Sequence, residues 1–252
     1  MNITQTFYDN MAADYDKLFL DWQAATKEQA EILDKLFRTC GFDQSAKILD
    51  CACGIGTQSI GLANLGYSLT SSDISDAELA EAAQRANENK VDIHFAHADF
   101  TVLEEVFSEQ FDIVIAMDNP LAHMLTRADM ESAIRSITGR IKPGGLFVSS
   151  FRDYDALPAD KPTYSPPYIH KTQKGQRVSF QTWDWQDDIY HLTQYIIDDQ
   201  GVPTVSKFGC ALRAVCRKEV TDLLLAHGCQ DVMWKFLEET AFYQPIVIAR
   251  KK

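Results

Sequence analysis

The stretch that most narrows the fold is ILDCACGIG, residues 48–56. Two apolar residues run into an acid, Asp50, and then Ala52, Gly54 and Gly56 follow at alternating positions. Small residues between an apolar strand and a helix let the backbone approach a ligand closely. They also aim the helix N-terminus at the ligand's polar groups. The surroundings repeat that alternation of strand and helix. Residues 22–40 carry apolar side chains at helical spacing and close at Gly41. Residues 46–51 read as a buried strand, 56–65 as a helix stopped by Gly66, and 67–73 as an alternating strand. Ser75 with Glu78 has the capping-box spacing and opens a helix to about Asn89. A short strand over 92–96, the apolar FDIVIAM strand over 111–117, a helix from the Thr126 N-cap to Ile141 and a strand over 146–151 complete the series. Strands separated by helices of this length predict right-handed βαβ units and a mainly parallel sheet.

The pattern breaks after Asp153. Proline-rich turns lead into RVSFQTWDW, IYHLTQYII and TVSKFGCALRA, which alternate like antiparallel strands with links near Asp187-Asp188 and Gln200-Gly201. Helix returns over 217–227, and two last strands, 231–237 and 242–250, are close enough for an antiparallel hairpin. The expectation is one domain. It divides into an N-terminal cap and helix (1–45), a ligand-binding core (46–152), an inserted β cap (153–214), and a C-terminal helix and hairpin (215–252).

Composition removes several function classes. A formal charge of −12 over 252 residues argues against tracking a phosphate backbone, so a small molecule is the expected partner, not nucleic acid. No apolar run reaches the roughly 18 residues of a membrane span. No basic segment leads into an apolar one at Met1-Asn2-Ile3-Thr4, which makes the cytoplasm the expected location. The six cysteines, at 40, 51, 53, 210, 216 and 229, form no CxxC and read as buried reduced thiols. His94 and His97 point to opposite faces of an extended strand, so no metal is expected there.

The glycine turn must then be assigned to a nucleotide. A dinucleotide fingerprint places a third glycine at position 59, where this chain has Ser59, and an acid at Asp50 is awkward beside a pyrophosphate. Asp73 closes the second strand, where an acid accepts both ribose hydroxyls; NAD and S-adenosylmethionine fit that equally. Asp99, in HADF, can accept from an adenine amino group with Phe100 beside the ring. In order, Asp50, Gly54, Gly56, Asp73 and Asp99 favour S-adenosylmethionine over a dinucleotide.

The run ILDCACGIGTQSIGLANLGYSLTSSDIS closely resembles motif I and the following acidic strand of class I S-adenosylmethionine-dependent methyltransferases. IKPGGLFV and the terminal hairpin resemble their later strands. The resemblance implies an α/β, Rossmann-like, seven-stranded sheet, mostly parallel with an antiparallel last strand, here carrying the inserted antiparallel meander. It implies the cofactor S-adenosylmethionine, with S-adenosylhomocysteine as product. Asp50 and the Gly54–Gly56 turn would hold the methionine moiety, Asp73 the ribose, and Asp99 with Phe100 the adenine. Ala52, Cys53, Ile74 and Met117 would complete the cofactor contacts. FDIVIAMDNPLAHM and GGLFVSSFRDYD resemble the glycine and sarcosine N-methyltransferases, with Pro120 where that family typically has Ser. This second resemblance implies Asn119 as the group whose carbonyl faces the substrate amine. Arg152 would hold the substrate carboxylate, and Tyr154 and His123 would stand at the substrate.

The residues support a related reading directly. Asn119 and Arg152 lie just past the carboxyl ends of neighbouring strands, where open α/β sheets bind ligands, and Arg152 offers a planar fork for a carboxylate. The bland alternative pairs Arg152 with Asp153 or Asp155. His123 reads as a base or, preferably, as a loop cap touching the cofactor. Closure against water falls to the N-terminal tyrosines Tyr8 and Tyr15 and to the meander's Tyr164, Tyr168, Trp183 and Trp185, with Tyr15 and Tyr168 the chosen catalytic contacts. The expected activity is N-methylation of a small amino acid or amine. Methylation of an O or C nucleophile, a cofactor-binding protein without turnover, and a nicotinamide oxidoreductase are the alternatives.

Overall fold

A computed structural model describes residues 3–172, 175–199 and 201–252 of the chain. Met1, Asn2 and the Gln200 half of the expected Gln200-Gly201 link lie outside the described residues. The chain opens with α1 (Ile3–Met11) and α2 (Trp22–Thr39), then alternates β1 (Lys47–Asp50), α3 (Thr57–Asn64), β2 (Ser68–Asp73), α4 (Asp76–Asn89), β3 (Ile93–His97), β4 (Phe111–Ala116), α5 (Arg127–Gly139) and β5 (Ile141–Ser150). A short strand and three long ones follow: β6 (Tyr168–Thr172), then β7 (Gly175–Gln186), β8 (Ile189–Asp199) and β9 (Thr204–Arg213). Then come α6 (Arg217–Ala226), β10 (Cys229–Lys235), the short α7 (Leu237–Thr240) and β11 (Ile246–Lys251).

The main sheet has seven strands in the order β10-β11-β5-β4-β1-β2-β3. β1 through β5 pair in parallel, whereas β11 is antiparallel to β5 and to β10. This is the expected α/β, Rossmann-like sheet with its reversed last strand. Central strands are covered on both faces, which is why they read as unbroken apolar runs. Leu49, Val114, Phe147 and Val247 pack on one face with Met130, Ile134 and Leu224 of α5 and α6. Ile48, Ile113, Val148 and Ile248 pack on the other with Leu33, Phe37 and Ile60 of α2 and α3. A Cβ at Gly61 would sit 2.4 Å from the Thr26 carbonyl oxygen, so the close approach of α2 to α3 requires glycine there.

The second sheet is the meander β6-β7-β8-β9. Its apolar side, Tyr190, Leu192, Cys210 and Leu212, meets Phe7 and Met11 of α1. α1 and the meander thereby close over the carboxyl ends of β1, β4 and β5. Arg213 fastens β9 in place: its guanidinium donates to both carboxylate oxygens of Glu219, at 3.0 and 2.7 Å, and to the Met124 carbonyl at 3.0 Å.

Several local expectations need correction. Helix α5 stops at Gly139, and β5 begins at Ile141, taking in Lys142–Gly145. A register shift between Phe111 and Ile113 absorbs that segment, and Lys142 reaches Asp112 at 2.9 Å. β6 is an additional strand, too short to show alternation after two prolines. The Ser75 capping box is half formed: Ser75 Oγ accepts the Glu78 N–H, but the Ser75 N–H goes to Asp73 Oδ1 at 3.0 Å. All cysteines are free, but Cys216 is exposed and Cys40 half-buried, so two thiols depart from the buried expectation.

Candidate active site

Two adjoining cavities open at the carboxyl edge of the main sheet. Tyr8, Tyr15, Asp118 and His123 line both. The first runs along the ends of β1, β2, β3 and β4. Its walls include Ala52, Cys53, Gly54, Asp73, Ile74 and Asp99, with Phe100 and Met117 as apolar faces. Gly54 (φ +51°) and Gly56 (φ +87°) adopt left-handed backbone, which glycine alone enters without steric cost. That turn presents the Gly54 N–H to Asp73 Oδ2 at 2.9 Å. With Ser75 on its other oxygen, the Asp73 carboxylate is locked in place with lone pairs left over. Burial pushes its pKa up. Asp99 takes both the N–H and the hydroxyl of Thr101 on Oδ1, at 2.8 Å each.

Two expected cofactor residues are not brought to this cavity. Asp50 is fully buried behind the turn, where it accepts from Ser59 Oγ at 2.7 Å and from the Ala52 N–H at 3.4 Å. Gly56 packs towards Ile60, whose Cδ1 would lie 2.9 Å from a Cβ. Both shape the turn from within and neither lines the opening. Burial lifts Asp50 to about 7.

The second cavity lies under the meander. Arg152 reaches it from the end of β5, and Asn119, Gln181, Gln194 and Tyr243 surround it. Arg152 donates to Tyr190 Oη at 3.2 Å and Gln181 Oε1 at 2.7 Å, and its guanidinium lies 5.4 Å from the Trp183 ring centre. Asp153 and Asp155 both pair with Arg217 instead. The surface pairing considered for Arg152 is therefore absent. Asn119 is buried at φ +70°, and its carboxamide is engaged at both ends. Its Oδ1 accepts the Arg152 N–H at 3.0 Å and its Nδ2 donates to Tyr154 Oη at 3.0 Å. The Asn119 carbonyl expected to face an amine already holds the backbone of Arg152, with one lone pair remaining. Tyr154 stands behind Asn119 and Tyr190, outside the cavity lining.

His123 pairs with Tyr8 Oη at 2.9 Å, and burial depresses its pKa to about 4, so it is neutral and a weak base. Tyr15 is enclosed and its pKa is pushed well up by burial. Tyr168 borders the cavity but is 66% exposed and stacks on His170. Trp185 packs on Tyr190, and Tyr164 is exposed.

Sequence reading missed one group altogether. Asp118 (φ +68°) accepts from Gln58 Nε2 at 2.9 Å and from Tyr243 Oη at 2.5 Å. Gln58 is fixed in turn by Gln29 Oε1 at 2.6 Å. These partners come from α2, α3 and the approach to β11. The only local signal was an acid at a strand end beside Asn119.

Residues for an adenosyl group are present in the first cavity. It has acids at the ends of β2 and beyond β3, apolar walls between them, and a glycine turn whose Cβ positions would crowd Glu78 or Ile60. Comparison with known proteins agrees. Residues 48–145 match the family described as methyltransferase domain. A glycine/sarcosine N-methyltransferase of Parasynechococcus marenigrum is 27% identical over 61% of this chain and 53% of its own length. Rat glycine N-methyltransferase is 32% identical over 62% of this chain and 56% of its own. The chain thus spans about half the length of these curated relatives. A solved S-adenosylmethionine-bound amino pentose methyltransferase from Micromonospora echinaspora has the same fold, with a TM-score of 0.75 at 17% identity over 90% of this chain and 92% of that one.

Proposed function

We propose, from the premise that this chain carries a class I S-adenosylmethionine-dependent methyltransferase domain, that it methylates the amine nitrogen of a small acceptor that also bears a carboxylate. The observation that carries the acceptor class is Arg152. It is a half-buried guanidinium whose hydrogen-bond partners among the described residues are all neutral, on the wall of the second cavity. A buried charge without a counter-charge is costly unless a ligand supplies one, and a carboxylate is the bidentate match for a guanidinium. The similarity to a glycine/sarcosine N-methyltransferase and to a glycine N-methyltransferase supports the same acceptor class.

Ala52, Gly54, Asp73, Asp99, Phe100 and Met117 would hold the cofactor, which supplies the methyl group as an electrophile when bound. The rest is positioning by the chain. Asn119 fixes the Arg152 backbone, Tyr190 and Gln181 fix its fork, and Trp183 supports its face. Such placement of a nucleophile contributes up to ~7–11 kcal/mol in favourable cases. The meander and α1 act as a cap that keeps water from both cavities, with Tyr8, Tyr15 and His123 at the junction.

The test is turnover with a panel of amino acids and amines, read as methylated product by mass spectrometry. Arg152→Ala should raise KM for the accepted amino acid about 100-fold or more, through loss of roughly 3 kcal/mol of charge-assisted bonding. An unchanged KM sinks the carboxylate reading. Tight cofactor binding with no turnover on any acceptor favours a cofactor-binding protein.

A further inference from the structure

The second cavity holds a second charge without a counter-charge, opposite in sign to Arg152. Asp118 lies at the junction of the two cavities. Its carboxylate receives one neutral amide N–H from Gln58 and one neutral hydroxyl from Tyr243. The groups acting on it are burial and those two donors, with no cation among them. A carboxylate offers about four acceptor positions, so two remain for a ligand. Gln58 cannot swing away to leave more, because its amide group is also held by Gln29. The backbone is committed as well. Asp118 and Asn119 are consecutive non-glycine residues at positive φ, a strained arrangement of a kind that gathers at ligand sites.

Tyr15 and Tyr243 each sense both charges, Asp118 raising and Arg152 lowering their pKa values, so both tyrosines stand within the field of the pair. Yet Asp118 and Arg152 make no ion pair with each other: the described bonds of each go elsewhere. One cavity therefore presents an enclosed anion and an enclosed cation, held apart by neutral scaffolding. An acceptor with a single charge satisfies one and leaves the other without a counter-charge. A zwitterion satisfies both.

We propose that Asp118 is the ammonium anchor of a zwitterion site, binding the protonated amine of a small amino acid whose carboxylate docks on Arg152. The proposal rests on the reading that the acceptor carries both an amine and a carboxylate. It assigns Asp118, with Gln58 and Tyr243 as the groups that orient it, the selection between amino acids and simple carboxylates or amines. It also gives the acceptor's proton a destination. On deprotonation the N–H bond breaks towards Asp118 Oδ, the electron pair stays on nitrogen, and the neutral carboxyl returns the proton to solvent when the site opens.

The test is calorimetric binding to the full chain saturated with S-adenosylhomocysteine, using glycine, sarcosine, acetate and methylammonium as probes. Wild-type protein should bind its preferred amino acid at least tenfold more tightly than acetate or methylammonium. Equal affinity for amino acid and acetate overturns the proposal without any variant. Asp118→Asn should lose tenfold or more in amino-acid affinity. It should bind acetate as well as or better than wild type, and keep a single cooperative urea-unfolding transition as the control for folding. Unchanged amino-acid affinity in Asp118→Asn overturns the ammonium anchor while the Arg152 reading stands. Failure of wild type to bind either acetate or any amino acid removes the acceptor class itself, and this proposal with it.

Discussion

Replacing Asp50 with Asn removes a charge from a place that water does not reach. The Asp50 carboxyl is fully buried, bonded to Ser59 Oγ and the Ala52 N–H, and burial lifts it from 3.8 to about 7. A carboxyl that holds its proton more tightly in the fold than in the unfolded chain stabilises the fold when protonated. Its contribution is full below the unfolded value near 4, falls as pH rises, and levels off above about 7. Integrated over that window, the change is on the order of 4 kcal/mol, a ceiling because neighbouring carboxyls titrate with it. Asn keeps the shape and one acceptor but cannot ionise. The assay is urea unfolding of both proteins, free of cofactor, at steps from pH 4.5 to 7.5, followed by tryptophan fluorescence. The stability difference should shift in favour of Asp50→Asn by about 2–4 kcal/mol across that range. Any offset at pH 4.5 measures the lost hydrogen bonding, whereas the slope tests the burial argument. A difference that stays constant with pH refutes it.

Gly61→Ala should lower Tm by roughly 5–10 °C, because its Cβ would fall 2.4 Å from the Thr26 carbonyl and α2 must move; an unchanged melt contradicts that contact. Glu219→Gln leaves the Arg213 guanidinium without its carboxylate in a buried setting, a loss of about 3 kcal/mol, and limited proteolysis should then cut within 153–214 earlier than in wild type. Under native conditions Ellman's reagent should titrate exposed Cys216 promptly, with Cys51, Cys53 and Cys210 silent until urea is added, since burial raises all three. The preference for cationic S-adenosylmethionine over its neutral product should widen from pH 6 to 8, by up to about tenfold, as Asp50, lifted to about 7, ionises behind the glycine turn; calorimetry at the two pH values checks it, and a constant ratio counts against that electrostatic role of Asp50.

What the sequence disclosed was whatever the chain settles over short distances. The glycine turn, the Asp73 strand end and the Thr126 cap depend on neighbours a few residues away, and they lie where the spacing put them. Continuous apolar runs likewise made the central strands legible, since both faces of the sheet are covered. Asp50 and Gly56 share the turn with Gly54 but face inward, a distinction that depends on side-chain direction at one strand end and not on composition. Asp118 was silent because its partners arrive from α3 and from the approach to β11 at the far end of the chain. Tyr168 shows a different limit: it borders the second cavity yet is largely exposed on the edge strand β6, whereas Tyr190 on β8, which no local signal singled out, is enclosed.

The way the chain distributes its charges bears on the site more than any single residue does. Several acids away from the cavities are paired: Asp112 with Lys142, Asp153 and Asp155 with Arg217, and Glu219 with Arg213. Asp73, Asp118 and Arg152 are enclosed and have only neutral donors or acceptors in direct contact. A fold able to place Arg217 between two aspartates meets no general obstacle to supplying counter-charges. Leaving three charges uncompensated costs stability that a paired or apolar arrangement would retain. All three border the two cavities. Asp50 and Glu78 are also buried without a cation, so it is the position of these three at the cavity walls, added to their missing counter-charge, that points to recognition. Their signs, acidic along the first cavity and mixed in the second, are what distinguish a cationic nucleoside from the zwitterion beside it.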